Sequence, residues 1–96
     1  MVMVRIEDIS VKKFNQEEKK KLIKDLAEEF FGYAEINNFG FITIFNDGKA
    51  IGDILPDSDG IRLWKEKYEE EVREFKKIYE KEIMGKSGFN ITTDYN

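Results

Sequence analysis

Residues 38–55 read NFGFITIFNDGKAIGDIL, and the pairing of this stretch decides the fold. Phe39 to Phe45 is rich in aromatic and β-branched residues, Asn46-Asp47-Gly48 follows, and Lys49 to Leu55 is a second short run stopped by Pro56. Two β-prone runs around Asn-Asp-Gly predict a β-hairpin, with Gly48 supplying the positive φ of the turn. Alternation places Phe39, Phe41 and Phe45 on one face of the first strand and Ile42 and Ile44 on the other. A strand apolar on both faces is expected to be covered twice, once by its own helices and once by something else.

Working outward, Val2, Val4 and Ile6 alternate with Met3, Arg5 and Glu7, a short half-buried strand. Asn15 with Glu18 three residues on forms a capping box. Leu22, Ile23, Leu26, Ala27, Phe30 and Phe31 then recur at helical spacing, and Gly32 is placed to end the helix. Tyr33-Ala34-Glu35-Ile36 is a short strand or a lead-in to the hairpin, and Asn37-Asn38 its turn. Beyond the hairpin, Pro56-Asp57-Ser58-Asp59-Gly60 is a loop of turn formers. Ile61, Trp64, Tyr68, Val72, Phe75, Tyr79 and Ile83 step by three and four, which predicts one long amphipathic helix ending near Gly85. Phe89, Ile91, Thr93 and Tyr95 alternate with polar residues, a last strand.

These elements give a single α+β domain over residues 1–96, a two-layer sandwich of an antiparallel sheet and two helices in the ferredoxin-like order β-α-β-β-α-β. The alternative is a three-strand sheet with a long C-terminal helix and residues 89–96 as a disordered tail.

Composition narrows the chemistry. The 96 residues contain no Cys and no His, which removes a thiol nucleophile, a disulfide framework, the commonest general base and the usual zinc ligands. Ser10, Ser58 and Ser87 therefore lack a histidine partner. A net charge of -4 disfavours nonspecific binding to nucleic acid or anionic membranes. No apolar run approaches the ~20 residues of a membrane span, and charge follows the N-terminal Met too soon for a signal peptide. A cytoplasmic protein is expected.

Three constellations remain. Asp57, Asp59, Gly60 and Glu66 match the later positions of a calcium loop, but Leu55 stands where the first acid belongs. The stronger reading is a turn that caps the long helix, with no metal and no cofactor. Paired carboxylates such as Asp53 with Asp57 or Asp59 would serve a carboxylate-dependent enzyme, yet nothing in the sequence marks a cleft around them. The aromatics Phe39, Phe41 and Phe45, together with the exposed acids Glu69, Glu70 and Glu74, are the candidate partner-binding residues.

The function expected from these features is a small, acidic, non-enzymatic protein-binding module that forms a homodimer and meets a basic protein partner. Size, acidity and the missing catalytic residues suit an inhibitor of a nucleic-acid-handling host protein, of the kind phages and mobile elements carry, anti-CRISPR-like proteins among them. The alternative is a ferredoxin-like nucleic-acid-binding domain, with Phe39, Phe41, Phe45 and Tyr95 as a stacking platform and Lys19–Lys21 with Lys24 as a basic patch.

Overall fold

The computed structural model describes residues 14–95; the strand expected at Val2–Ile6 lies outside them. The described chain is a compact α+β unit of two helices and a five-stranded mixed sheet. Its elements run α1 (Gln16–Phe31), β1 (Tyr33–Ile36), β2 (Ile42–Asn46), β3 (Lys49–Leu55), β4 (Gly60–Leu63), α2 (Glu69–Tyr79) and β5 (Asn90–Thr93).

The capping box forms as expected. The Asn15 side chain accepts from the Glu18 N–H at 2.8 Å, and the Glu18 carboxylate accepts from the Asn15 N–H at 3.2 Å. Gly32 closes α1 at φ 113°, its N–H donating to the Glu28 carbonyl. Ile23, Ala27 and Phe31, four residues apart, are the buried stripe. The central hairpin also forms. Its turn has positive φ at both Asp47 (55°) and Gly48 (77°), the mirror-image geometry that matches strand twist. A bulge between Ile44 and Phe45 brings both Ile51 and Gly52 into the interior.

Several differences from the expected fold accompany the pairing of β4. Gly60–Leu63 does not open the long helix: it pairs antiparallel with β3, Ile54 opposite Ile61 and Gly52 opposite Leu63. Ile61 and Leu63 are buried and Arg62 is exposed, so this segment follows the two-residue period. The long helix is correspondingly shorter, an α-helix over Glu69–Tyr79 continued by a π-helical turn at Glu80–Met84. The Asp57–Asp59 turn therefore caps no helix. Pro56–Ser58 is a single 3-10 turn, and Asp59 in the left-handed region (φ 50°) delivers the chain into β4. The tail forms the expected strand, but β5 runs parallel to β4 with α2 as the crossover, so the sheet is not antiparallel throughout.

The strand order differs as well. Among the described residues the strands lie β1-β2-β3-β4-β5, a meander of four followed by one parallel strand. They do not interleave in the split β-α-β pattern, because each hairpin connection is too short to skip a neighbour.

Both helices cover one face of this sheet. Ala34, Ile42, Ile44, Ile54, Ile61 and Leu63 meet Ile23, Ala27 and Phe31 of α1 and Val72, Phe75 and Tyr79 of α2 in one buried cluster. Phe31 and Phe75 join the helices with ring centroids 5.6 Å apart, and Phe89 packs on Tyr79 at 4.4 Å. Burying each such side chain stabilises by about 1.5–3 kcal/mol. No side chain caps α2; three glutamates in its first turn and two lysines in its last complement the helix dipole instead.

Candidate functional site

With the helices on one face, the side chains that alternate with the core residues define the opposite, outer face of the sheet. Register aligns two cross-strand rows there. Tyr33 lies opposite Phe45, and their rings pair at 5.8 Å between centroids with a 47° tilt. The second row is polar, Glu35 beside Thr43, Thr43 beside Asp53, Asp53 beside Arg62 and Arg62 beside Thr92. Thr43 donates to Asp53 Oδ1 at 2.8 Å, which fixes the carboxylate against β2.

The aromatic residues expected to form one surface divide between this face and its tip. Phe45 belongs to the ring pair. Phe41 immediately precedes β2, its N–H donating to the Asn37 side chain at 3.1 Å, and is 39% exposed. Phe39 is not in a strand: it occupies the β1–β2 turn and is 85% exposed. The side chain of Asn37 organises that turn by accepting from the Phe39 N–H at 2.9 Å, while Gly40 takes φ 88°. An apolar ring held this far into solvent by a defined turn is costly to leave uncovered.

Glu69, Glu70 and Glu74 belong to the helix layer, on the other side of the sheet from Phe45. Glu69 is engaged twice, pairing with Arg73 at 3.6 Å and accepting from the Tyr95 hydroxyl. That bond ties the segment after β5 to α2, and burial followed by the Glu69 carboxylate pushes the Tyr95 hydroxyl up to about 12. Glu70 approaches Arg73 at 4.0 Å and Glu74 approaches Lys77 at 3.4 Å, both well exposed. The glutamates and the aromatics are thus two separate surfaces.

Asp57, Asp59 and Glu66 are not brought together around a cation. Asp59 Oδ1 accepts from the Tyr79 hydroxyl at 2.9 Å and pairs with the Lys19 ammonium at 3.0 Å; Lys19 also donates to the Pro56 carbonyl. The carboxylate joins the start of α1, the β3–β4 connection and the end of α2. Burial and then the hydrogen bond to Asp59 raise the Tyr79 hydroxyl far above its ordinary value, so it stays a donor. Asp57 is exposed, and Glu66 opens a separate 3-10 turn before α2. Among the described residues no group of three or more acids is placed to hold a metal ion.

Three side chains of the outer face escaped the sequence reading. Tyr33 and Glu35 were hidden because their four-residue segment reads equally well as a lead-in, although Tyr33/Glu35 against Ala34/Ile36 is a two-residue alternation. Arg62 lies between Ile61 and Trp64, whose helical spacing conceals its strand position. Among the described residues no helix is long and apolar enough to cross a membrane. Compared with models of known protein families, with curated proteins and with solved structures, the chain matches none.

Proposed function

We propose that the chain is a small, acidic, non-enzymatic protein-binding module, a two-layer sandwich whose helices cover one sheet face and whose other face meets a basic protein partner. The observation that carries this reading is the set of partly exposed aromatic side chains at the outer sheet face, the Tyr33–Phe45 ring pair within it and Phe41 just before β2, with Phe39 projecting from the β1–β2 turn. Glu35, Asp47 and Asp53 share this side of the molecule with Arg62, and the excess of acids favours a cationic partner over a phosphate backbone. Inhibition of a basic, nucleic-acid-handling host protein, in the manner of a phage or mobile-element inhibitor, suits the size and charge. Self-association as a homodimer belongs to the same proposal.

A nucleic-acid reading draws on the same rings, since bases stack on exposed aromatics of an open sheet. Phe41→Ala separates the two. The variant is expected to keep the wild-type circular dichroism spectrum and to lose the protein partner captured from the native host. Fluorescence anisotropy with single-stranded DNA or RNA is expected to show no binding. Oligonucleotide binding that Phe41→Ala weakens by about 1–3 kcal/mol, the contribution of one stacked base, would replace this reading with the other.

A further inference from the structure

The junction between α1 and β1 and the tip of the β2–β3 hairpin enclose a cleft of about 440 Å³. Its lining includes the paired rings of Tyr33 and Phe45 and the acids Glu35 and Asp47, with no lysine or arginine among the described lining residues. Each wall is positioned by backbone geometry. Tyr33 and Phe45 are direct cross-strand partners, and Glu35 follows two residues along the same face. The Tyr33 hydroxyl donates to Glu35 Oε2 at 2.9 Å, holding that carboxylate beside the ring and leaving its other oxygen unclaimed by this contact. Asp47 is set by the left-handed backbone of the turn, and neighbouring Asn46 is locked by donating to the Phe31 carbonyl and accepting from the Tyr68 hydroxyl. Neither Glu35 nor Asp47 makes an ion pair among the described residues, whereas Glu28, Asp59, Glu69, Glu70, Glu74 and Glu80 all do.

We propose that this cleft is the receptor for an arginine side chain of the protein partner. The inference rests on the binding-module reading above and specifies how that module would recognise its partner. An aromatic face attracts a cation through its quadrupole, and two carboxylates add direct charge complementarity. Arginine fits better than lysine on geometric grounds. Its guanidinium is planar, stacks on a ring and offers a fork of N–H donors to carboxylate oxygens, while losing less hydration than an ammonium. The Tyr33–Phe45 wall supplies the stacking surface, and Glu35 and Asp47, which flank that ring pair on opposite sides along the strands, supply an acceptor and a second negative charge.

The probe is a short Gly-Arg repeat peptide, compared with the matching Gly-Lys peptide by titration against the ¹⁵N-labelled chain. The expected result is saturable shifts concentrated at residues 32–36 and 45–48, with the arginine peptide several-fold tighter. The double variant Glu35→Gln/Asp47→Asn is expected to weaken the arginine peptide roughly tenfold, a typical sum for the loss of two exposed charge contacts. Tyr33→Leu, which keeps apolar bulk but removes the ring, is expected to weaken it several-fold. Shifts mapping elsewhere, no saturable binding, equal affinity for the lysine peptide, or unaltered affinity in both variants would each overturn the proposal. A host protein still captured by the Glu35→Gln/Asp47→Asn variant but lost by Phe41→Ala would remove the arginine cleft and leave the binding module standing. Arginine peptide bound in the cleft, with oligonucleotide binding lost in Phe41→Ala, would keep the cleft and remove the module.

Discussion

Glu80 shows how one carboxylate holds the last strand in place. It accepts from the Phe89 N–H at 2.9 Å and the Gly88 N–H at 2.8 Å, and pairs with Lys76 at 3.1 Å. Lys76 completes the clasp by donating to the Phe89 carbonyl at 2.9 Å. The clasp seats the Phe89 ring, only 3% exposed, against Phe75 and Tyr79 and starts β5 one residue later. The Phe89 N–H first, then Gly88 and Lys76, hold the Glu80 carboxyl below the ordinary glutamate value. A carboxylate whose folded-state pKa is depressed contributes stability that is complete above its unfolded value, near ~4.3, and is lost as pH falls through the lower folded value. Thermal melts of wild type and Glu80→Gln are therefore expected to differ most at neutral pH, with wild type the more stable. The gap should close progressively below about pH 4.3. Curves separated by a constant offset down to strong acid would contradict this role for Glu80.

Between elements, β3 approaches β4 tightly at Gly52. A Cβ built on Gly52 would stand 2.6 Å from the Arg62 carbonyl oxygen and 3.4 Å from the Leu63 Cα, so the obstacle is backbone and cannot rotate aside. Gly52→Ala is expected to cost about 1–3 kcal/mol in urea denaturation, the usual range for overpacking, through separation of β3 from β4. An unchanged midpoint would show that the strands part without penalty. The same contact explains which elements were legible beforehand. The first helix and the central hairpin carry their own local signals, a capping box closed by Gly32 and an Asp-Gly turn; the helix forms where expected, and the hairpin forms with its first strand over Ile42–Asn46 instead of Phe39–Phe45. Gly60–Leu63 carries no local signal that beats its surroundings: Ile61 and Trp64 fit the helical spacing that continues into α2, and only pairing across to Gly52 makes the segment a strand. The parallel partner of β5 lies beyond a whole helix, a pairing no window of sequence contains. At the candidate site, Phe45 was legible from alternation within its strand, whereas Phe41 falls one residue before that strand begins. The cleft was not, because Tyr33 and Phe45 meet through register between two strands.

For the molecule as a whole, two surfaces compete for the role of interface. The outer sheet face is aromatic and of mixed charge, while the first turns of α2 present glutamates. Among the described residues β1 and β5 are the ends of the sheet, both four residues long, too short to give a partner strand many hydrogen bonds. A homodimer at micromolar concentration is thus expected to form through the outer face. Sedimentation equilibrium returning an 11.3 kDa monomer at high concentration would refute it. Charge reversal then tests the helix surface independently. Glu69 is a poor choice, since its replacement would release Tyr95 as well as Arg73. Glu70 and Glu74 are better, because their side chains are 89% and 62% exposed and their contacts with Arg73 and Lys77 are surface pairs worth little. Glu70→Lys/Glu74→Lys is expected to leave the melting temperature within a few degrees of wild type. If α2 contributes to a basic partner's site, the variant loses that partner, because two attractions become two repulsions. If the chain instead binds nucleic acid, the same variant binds tighter and with a steeper salt dependence, because each added lysine can neutralise a phosphate. Capture of the partner at wild-type strength would remove the glutamates from the interface and leave the sheet face to carry recognition alone.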